Sequence, residues 1–248
     1  MRAELALLAG VLVAALVSLA VFAVHHRGRR DPDAERKGTR FLLGIGDLLL
    51  NWFLWVIGPA ERALLSAGAT PDHMNVAGLL FGLAAGLLIG SGRLQAGGWA
   101  MVLAGACDVL DGRLARARQL TSVYGKFIDS TLDRWVETFA FLGFAVYLGS
   151  RPWGALVVAA GLGGSLLVSY AQARGESVGV SGSGGLMQRA ERLFLSILGC
   201  LYDPVLSRAL GRPQGTVLLW VLAVVAVGAL GTALHRTWWI ARRLRRLS

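Results

Sequence analysis

The sequence has little of what builds a soluble enzyme or a disulfide-stabilised secreted domain. Only 16% of its 248 residues are charged, and it contains two cysteines, four histidines and six prolines. Cys107 and Cys200 lie inside apolar runs, where cysteine is usually a small buried hydrophobe. The scattered histidines do not show the spacing of zinc ligands. We therefore expect neither a disulfide framework nor a zinc site.

Apolar residues are abundant instead, at 55% of the chain, and they cluster in long runs. A helix of about 20 such residues crosses a bilayer. The runs predict an all-α polytopic membrane protein with six core spans and one extra N-terminal span. The predicted spans cover residues 3–24, 74–91, 94–117, 122–148, 153–173, 189–206 and 216–240. The polar interruptions in 41–66 favour an amphipathic helix at the membrane surface.

The N-terminal part divides from the rest at a charged linker. We predict that residues 1–40 form a transmembrane span and a cytoplasmic linker, and that 41–248 form one membrane-embedded domain, with an interfacial helix and six spans. Two alternatives stay open: the first run can be a signal peptide, and 41–66 can be a full span. Pro71 follows Thr70 and predicts the start of the next helix, since proline is common in a first turn.

The formal net charge is +10, and its distribution predicts the orientation. With the linker in the cytoplasm, alternating spans leave few basic residues outside, namely Arg2, Arg93, Arg151, Arg208 and Arg212. This asymmetry follows the positive-inside rule. Because the basic residues lie at span ends, the charge indicates contact with anionic lipid headgroups, and we do not expect nucleic-acid binding.

Four carboxylates stand out in this apolar chain: Asp108, Asp111, Asp129 and Asp133. The members of each pair are three or four residues apart and so share a helix face. Four like charges at a membrane are unfavourable unless a partner neutralises them, and hard oxygen ligands suit divalent cations. Because the pairs end one predicted span and begin the next, they should meet at the cytoplasmic side. Two hypotheses compatible with such acids are a cation-coupled or proton-coupled transporter and a diphosphate-using intramembrane prenyltransferase.

The stretch from Asp108 reads D-x-x-D-G-x-x-A-R, then eight residues, then G-x-x-x-D-x-x-x-D. This pattern resembles the signature of the CDP-alcohol phosphotransferases, membrane enzymes of phospholipid synthesis. The resemblance covers roughly residues 41–240. It implies transfer of a phosphatidyl group from CDP-diacylglycerol to a polar alcohol with release of CMP. It also implies a homodimer.

The resemblance assigns roles to individual residues. It implies that the four aspartates hold two Mg²⁺ or Mn²⁺ ions and that Asp133 also acts as the catalytic base. The remaining motif positions are expected to contact the nucleotide: Gly112, Ala115, Arg116 and Gly125. Since no acid is missing from the motif, nothing in it favours an inactive relative.

A second polar group begins at the end of the fifth predicted span, 153–173. Ser169, Arg174, Arg189 and Arg192 lie in a region that resembles prokaryotic phosphatidylinositol-phosphate synthases, in which serine and basic residues hold the phosphate of the acceptor. Gln172 stands where a lysine is expected. The acceptor is therefore predicted to be phosphorylated, as inositol phosphate or glycerol phosphate, and another polar alcohol stays open. The alternative is that these residues are ordinary cytoplasmic charges.

Overall fold

The computed structural model describes residues 2–25, 45–180, 184–185 and 187–246. These residues form eight helices and no strand. In chain order the helices are α1 (Arg2–His25), α2 (Ile45–Ser66), α3 (Pro71–Gly90), α4 (Leu94–Ala117), α5 (Val123–Leu148), α6 (Gly154–Ser177), α7 (Arg189–Ala209) and α8 (Thr216–Leu244). The all-helical fold predicted from the sequence is therefore confirmed.

The helix bounds follow the predicted segments closely. Helix α3 begins at Pro71, directly after Thr70. Helices α6 and α7 each run past their predicted ends, to Ser177 and Ala209. The predicted cytoplasmic linker beyond His25 and the first residues of the predicted surface helix, 41–44, lie outside the described residues.

The chain divides into two compact units, Met1–Thr70 and Pro71–Ser248. In the first unit, Trp52 Nε1 donates a hydrogen bond of 3.0 Å to Ser18 Oγ, and the rings of Phe22 and Trp55 lie 5.8 Å apart. The predicted domain boundary at 40/41 falls outside the described residues and stays a prediction.

Three of the described helices are long and apolar enough to cross a membrane: α3, α6 and α8. Helices α4, α5 and α7 carry the charged residues of the motifs and do not meet that criterion. The protein is an integral membrane protein, while the count of six core spans and the surface position of α2 stay predictions.

Helix α3 packs along both α4 and α5, whereas those two helices make little contact with each other. Glycines permit this close approach. A methyl group at Gly82 would lie 2.9 Å from the Val136 side chain, and one at Gly86 would overlap the carbonyl oxygen of Phe139. Gly82 and Gly86 belong to a glycine stripe, Gly78, Gly82, Gly86 and Gly90, at every fourth position of α3. This stripe is therefore used within this chain. It gives no support to the predicted dimer, which stays a prediction.

The hydrophobic core lies at the end of the second unit where α3 and α5 end and α4 and α8 begin. Its fully buried members include Ile89, Phe144, Leu148, Leu218 and Leu222. The two cysteines, as predicted, are free and buried.

One carboxylate is buried at this same end. Asp203 of α7 has no solvent exposure and accepts hydrogen bonds from Ser207 Oγ at 2.8 Å, Gly215 N at 2.6 Å and Leu218 N at 3.0 Å. Gly215 precedes α8 and has no side chain with which to cap it, so Asp203 satisfies two of the N–H groups that begin this helix.

Candidate active site

A short turn joins the two helices that carry the four aspartates. Leu120 N donates to Ala115 O at 2.8 Å and closes the end of α4, with Gln119 in the left-handed region at φ +58°. Ser122 then caps α5, because its Oγ accepts a hydrogen bond of 3.0 Å from Gly125 N. The turn brings the last residues of α4 and the first residues of α5 to one end of the unit.

Three of the aspartates converge at this end. One carboxylate oxygen each from Asp108, Asp111 and Asp129 lies within 4.8 Å of the others, and Asp111 is only 6% exposed. Three carboxylates this close repel one another, and a hard divalent cation is the partner that suits such a set of oxygens. The cluster fits Mg²⁺ or Mn²⁺, as the sequence predicts.

Asp108, Asp111 and Asp129 line a cavity of about 260 Å³, here called the acid cavity. Asp133 lines the same cavity but does not belong to the group of three whose oxygens converge. Its carboxylate is paired with an arginine from α7: Arg189 Nη2 lies 2.6 Å from Asp133 Oδ1, and Arg189 Nη1 lies 3.0 Å from Asp108 Oδ1. Arg189 thus ties one aspartate of each pair to a third helix. The four predicted acids line one cavity, and their division between metal ligand and base stays a prediction.

The predicted nucleotide contacts lie around the α4–α5 turn. Arg116 is exposed, while Gly112, Ala115 and Gly125 are half-buried. A methyl group at Gly112 would come within 3.2 Å of Arg116 Nη1. None of the four lines the acid cavity, and their contact with the nucleotide stays a prediction.

A second, larger cavity of about 670 Å³ opens beside the aspartates. Among the residues that the structure describes, four arginines line it and no carboxylate does; the lining residues are Arg134, Val168, Ser169, Gln172, Gln188, Arg189, Arg192 and Arg236. Arg189 also lines the acid cavity, so the two cavities share a wall. A cavity of this composition is suited to an anion, because several fixed guanidinium groups can share its charge.

Three of the four residues predicted to bind the acceptor meet in this cavity: Ser169, Arg189 and Arg192. Arg174 does not. Its side chain is exposed, lies near Ser177 Oγ at 3.5 Å and lines neither cavity. Its predicted role in acceptor binding stays a prediction without support from its position.

Sequence reasoning missed Arg236 and Arg134. Arg236 is 7% exposed and donates to Val168 O at 3.0 Å, while its Nε has no hydrogen-bond partner among the described residues. A buried donor without a partner is costly and points to a ligand that accepts its hydrogen bond. An arginine inside a long apolar helix was the available signal, because such residues are usually functional. Arg134 directly follows Asp133 and carried no comparable signal.

Comparison with known proteins agrees with this architecture. The sequence model described as "CDP-alcohol phosphatidyltransferase" matches residues 69–228, which include both pairs of aspartates. The matched segment begins one residue before Thr70 and ends within α8.

Two curated relatives show how far the similarity extends. The chain is 35% identical over 195 residues to a phosphatidylinositol phosphate synthase of Mycobacteroides abscessus, a match that covers 77% of this chain and 87% of the relative. It is 31% identical over 206 residues to an archaetidylinositol phosphate synthase of Methanothermobacter thermautotrophicus, covering 81% and 98% of the two chains.

Solved structures of similar fold come from Mycobacterium tuberculosis. Its phosphatidylinositol phosphate synthase with CDP-DAG bound superposes with a TM-score of 0.64 at 30% identity, over 73% of this chain and 92% of the other. The same enzyme in complex with manganese and citrate gives a TM-score of 0.63 at 29% identity, over 73% and 88%.

Proposed function

The chain belongs to the CDP-alcohol phosphatidyltransferase family, and we propose that its acceptor is a phosphorylated polyol, with inositol phosphate as the favoured substrate. The enzyme is a membrane-bound transferase that moves a phosphatidyl group from CDP-diacylglycerol to an alcohol and releases CMP. Membership of this family supports the phosphotransferase hypothesis over the transporter and the prenyltransferase.

The observation that carries the choice of acceptor is the arginine-lined cavity beside Asp133. Arg189 and Arg192 already pair with carboxylates, but the buried Arg236 Nε has no hydrogen-bond partner among the described residues. A neutral polyol would bring no anion to this group, whereas a phosphate ester offers charged oxygens to several of the four guanidinium groups at once. The inositol phosphate specificity in the names of the two relatives supports the same choice. Glycerol phosphate offers the same anionic group and is the competing acceptor, since Gln172 stands where a lysine is expected.

The position of the cavity also fits the chemistry of transfer. The acceptor oxygen forms a bond to the phosphatidyl phosphorus, the bond from that phosphorus to the CMP oxygen breaks, and CMP leaves with the bonding electrons. The acceptor hydroxyl must lose its proton, and we assign the proton to the Asp133 carboxylate, which lines the acid cavity. Arg189 lines both cavities and contacts Asp133 and Asp108, which brings the proposed base next to the arginine-lined cavity.

The acid cluster has a separate role. We propose that Asp108, Asp111, Asp129 and Asp133 hold two divalent ions, Mg²⁺ or Mn²⁺, and that Gly112, Ala115, Arg116 and Gly125 contact the nucleotide. When bound, the ions neutralise the diphosphate and the charge that develops on CMP. The close approach of three carboxylate oxygens supports this assignment.

The orientation of the enzyme follows from its charges. The end that carries the aspartates also carries Arg113, Arg116, Arg118 and Lys126 at the α4–α5 turn and the basic C-terminal residues of α8. By the positive-inside rule this end faces the cytoplasm, where a water-soluble acceptor reaches it.

The test of the acceptor is CMP release from CDP-diacylglycerol by the purified full chain, with inositol phosphate, glycerol phosphate, serine and free inositol offered in parallel. We expect turnover with inositol phosphate to exceed turnover with free inositol. Arg236→Gln should raise the KM for the phosphorylated acceptor about 10- to 100-fold, because a hydrogen bond to a charged group is lost.

Arg208→Gln is the matched control, because Arg208 is exposed near the far end of α7 and its loss removes the same charge. It should leave the KM unchanged. Equal turnover with free inositol and inositol phosphate, or an Arg236→Gln enzyme with an unchanged KM, would contradict the proposal.

A further inference from the structure

Two ion pairs connect α5 with α7, one turn apart on each helix. Asp133 pairs with Arg189, and Glu137, four residues after Asp133, pairs with Arg192, three residues after Arg189. The two ion pairs follow one another along the helices, because residues three or four apart share a helix face. Only the Asp133–Arg189 pair contains a residue of the four-aspartate motif.

The backbones of α5 and α7 make little direct contact. The long side chains therefore bridge the space between the helices, and this space contains the cavities. A mostly apolar cavity of about 450 Å³ is lined by Glu137 and Arg192, and Arg192 also lines the arginine-lined cavity. Arg192 thus lies in the wall that the apolar cavity shares with the arginine-lined cavity, and Glu137 lies on the apolar side of that wall.

Arg192 is held at all three of its guanidinium nitrogens. Its Nε and Nη2 lie 2.9 Å and 3.3 Å from the two carboxylate oxygens of Glu137, and its Nη1 donates to Met187 O at 3.2 Å. Only 2% of its side chain is exposed, against 13% for Glu137. A buried guanidinium that lost this two-point contact would leave donors unsatisfied and would turn toward another partner.

We propose that Glu137 is a positioning residue that fixes the orientation of Arg192 in the acceptor cavity and thereby sets the affinity for the phosphate group of the acceptor. The inference rests on the proposed function, since it concerns the same acceptor. Glu137 itself does not line the arginine-lined cavity and acts through Arg192. Glu137 lies on α5 one turn beyond Asp133. The same helix therefore carries the proposed catalytic base and the residue that orients Arg192 toward the acceptor.

The test compares wild-type enzyme with Glu137→Gln, which keeps the size of the side chain and removes its charge. Steady-state CMP release is measured with inositol phosphate and with free inositol, and inositol phosphate binding is measured separately by calorimetry without CDP-diacylglycerol. We expect the KM and the dissociation constant for inositol phosphate to rise about 10- to 100-fold, by analogy with the loss of affinity when the partners that orient metal ligands are removed. The kcat and the KM for CDP-diacylglycerol should stay close to wild type.

Glu61→Gln is the matched control, because it removes the same charge from α2, outside the second unit. Glu137→Asp keeps the charge and should restore part of the affinity; it also replaces Glu137→Gln if that variant does not fold. An unchanged or lowered KM for inositol phosphate would overturn the proposal, and so would an equal loss with both acceptors. Wild-type enzyme that does not prefer inositol phosphate would instead overturn the proposed acceptor.

Discussion

Carboxylates lie near both ends of the helices in the second unit. At one end they are clustered, whereas at the other a single carboxylate accepts several hydrogen bonds. At one end, oxygens of Asp108, Asp111 and Asp129 approach within 4.8 Å of one another. At the other, Asp203 stands alone and accepts three hydrogen bonds. The two ends are about 20 Å apart along α4, the helical rise from Gln95 to Asp108. Gln95 marks the second end, where it donates a hydrogen bond to Leu201 O.

The difference shows what each end contributes. The carboxylate of Asp203 satisfies N–H groups that begin α8 and lies next to the hydrophobic core, so it stabilises the fold. The three clustered aspartates repel one another in the protein alone, although Arg189 contacts Asp108. A cation would neutralise the repulsion among all three, so their arrangement costs stability and provides binding. Substitutions at the two ends should therefore separate activity from stability.

The largest expected effect is on catalysis at the cluster end. Asp133→Asn keeps the shape of the side chain but removes the proposed proton acceptor, and we expect kcat for CMP release to fall about 10²- to 10⁴-fold. The melting temperature in detergent should stay near that of wild type. Asp203→Asn is the comparison, and its turnover per folded molecule should be close to normal. An Asp133→Asn enzyme with near-normal turnover would rule out this residue as the base.

The next effect is on stability at the opposite end. Asp203→Ala leaves Gly215 N and Leu218 N without their acceptor, and we expect the free energy of unfolding to fall by about 2–4 kcal/mol. Thermal unfolding in detergent measures this change. Asp203→Asn, which keeps an acceptor oxygen, should lose less than Asp203→Ala. If Asp203→Ala unfolds like wild type but turns over slowly, the two ends do not differ in the proposed way.

The smallest effect is the response of stability to metal. Adding Mn²⁺ at about 100 times its dissociation constant should stabilise wild-type protein by about 2.7 kcal/mol relative to protein in a chelator. Asp111→Asn should lose most of this increment, and in the chelator it should be slightly more stable than wild type because one repulsive charge is gone. Asp203→Asn should keep the increment. A metal response that Asp111→Asn leaves intact would place the cation elsewhere.

The sequence predicted much of the fold, because apolar runs and breaks specify helices through local rules. The start of α3 at Pro71 and the extents of α4 and α5 needed no tertiary information. The acid cluster was also predictable, since Asp108 and Asp111 share a helix face and a short turn returns the chain to Asp129. The separation of α4 from α5 by α3 was not expected, because the glycine stripe on α3 does not specify which helix it contacts.

The arginine-lined cavity was predicted only in part. Ser169, Arg189 and Arg192 come from one region of the sequence, while Arg134 and Arg236 come from α5 and α8 and join them only in the folded chain. The fourth predicted residue, Arg174, follows Ser169 by five positions on α6. Five positions turn a side chain about 140° around a helix, and this arginine is exposed. Proximity along the chain therefore predicted three members of the set, and the helical rotation separates the fourth from them.

By itself the sequence determined that this protein is a helical membrane protein with four aspartates in two pairs, because hydropathy and helical spacing act within one segment of the chain. That it is an enzyme was implied by the resemblance of this motif to a known family. The tertiary structure alone decided how the acids are used. It capped α8 with Asp203, which reaches Gly215 and Leu218 across a turn, and it paired Asp133 with Arg189 and Glu137 with Arg192 between helices that hardly touch. Those contacts depend on how helices distant in sequence pack, and packing is a property of the whole fold.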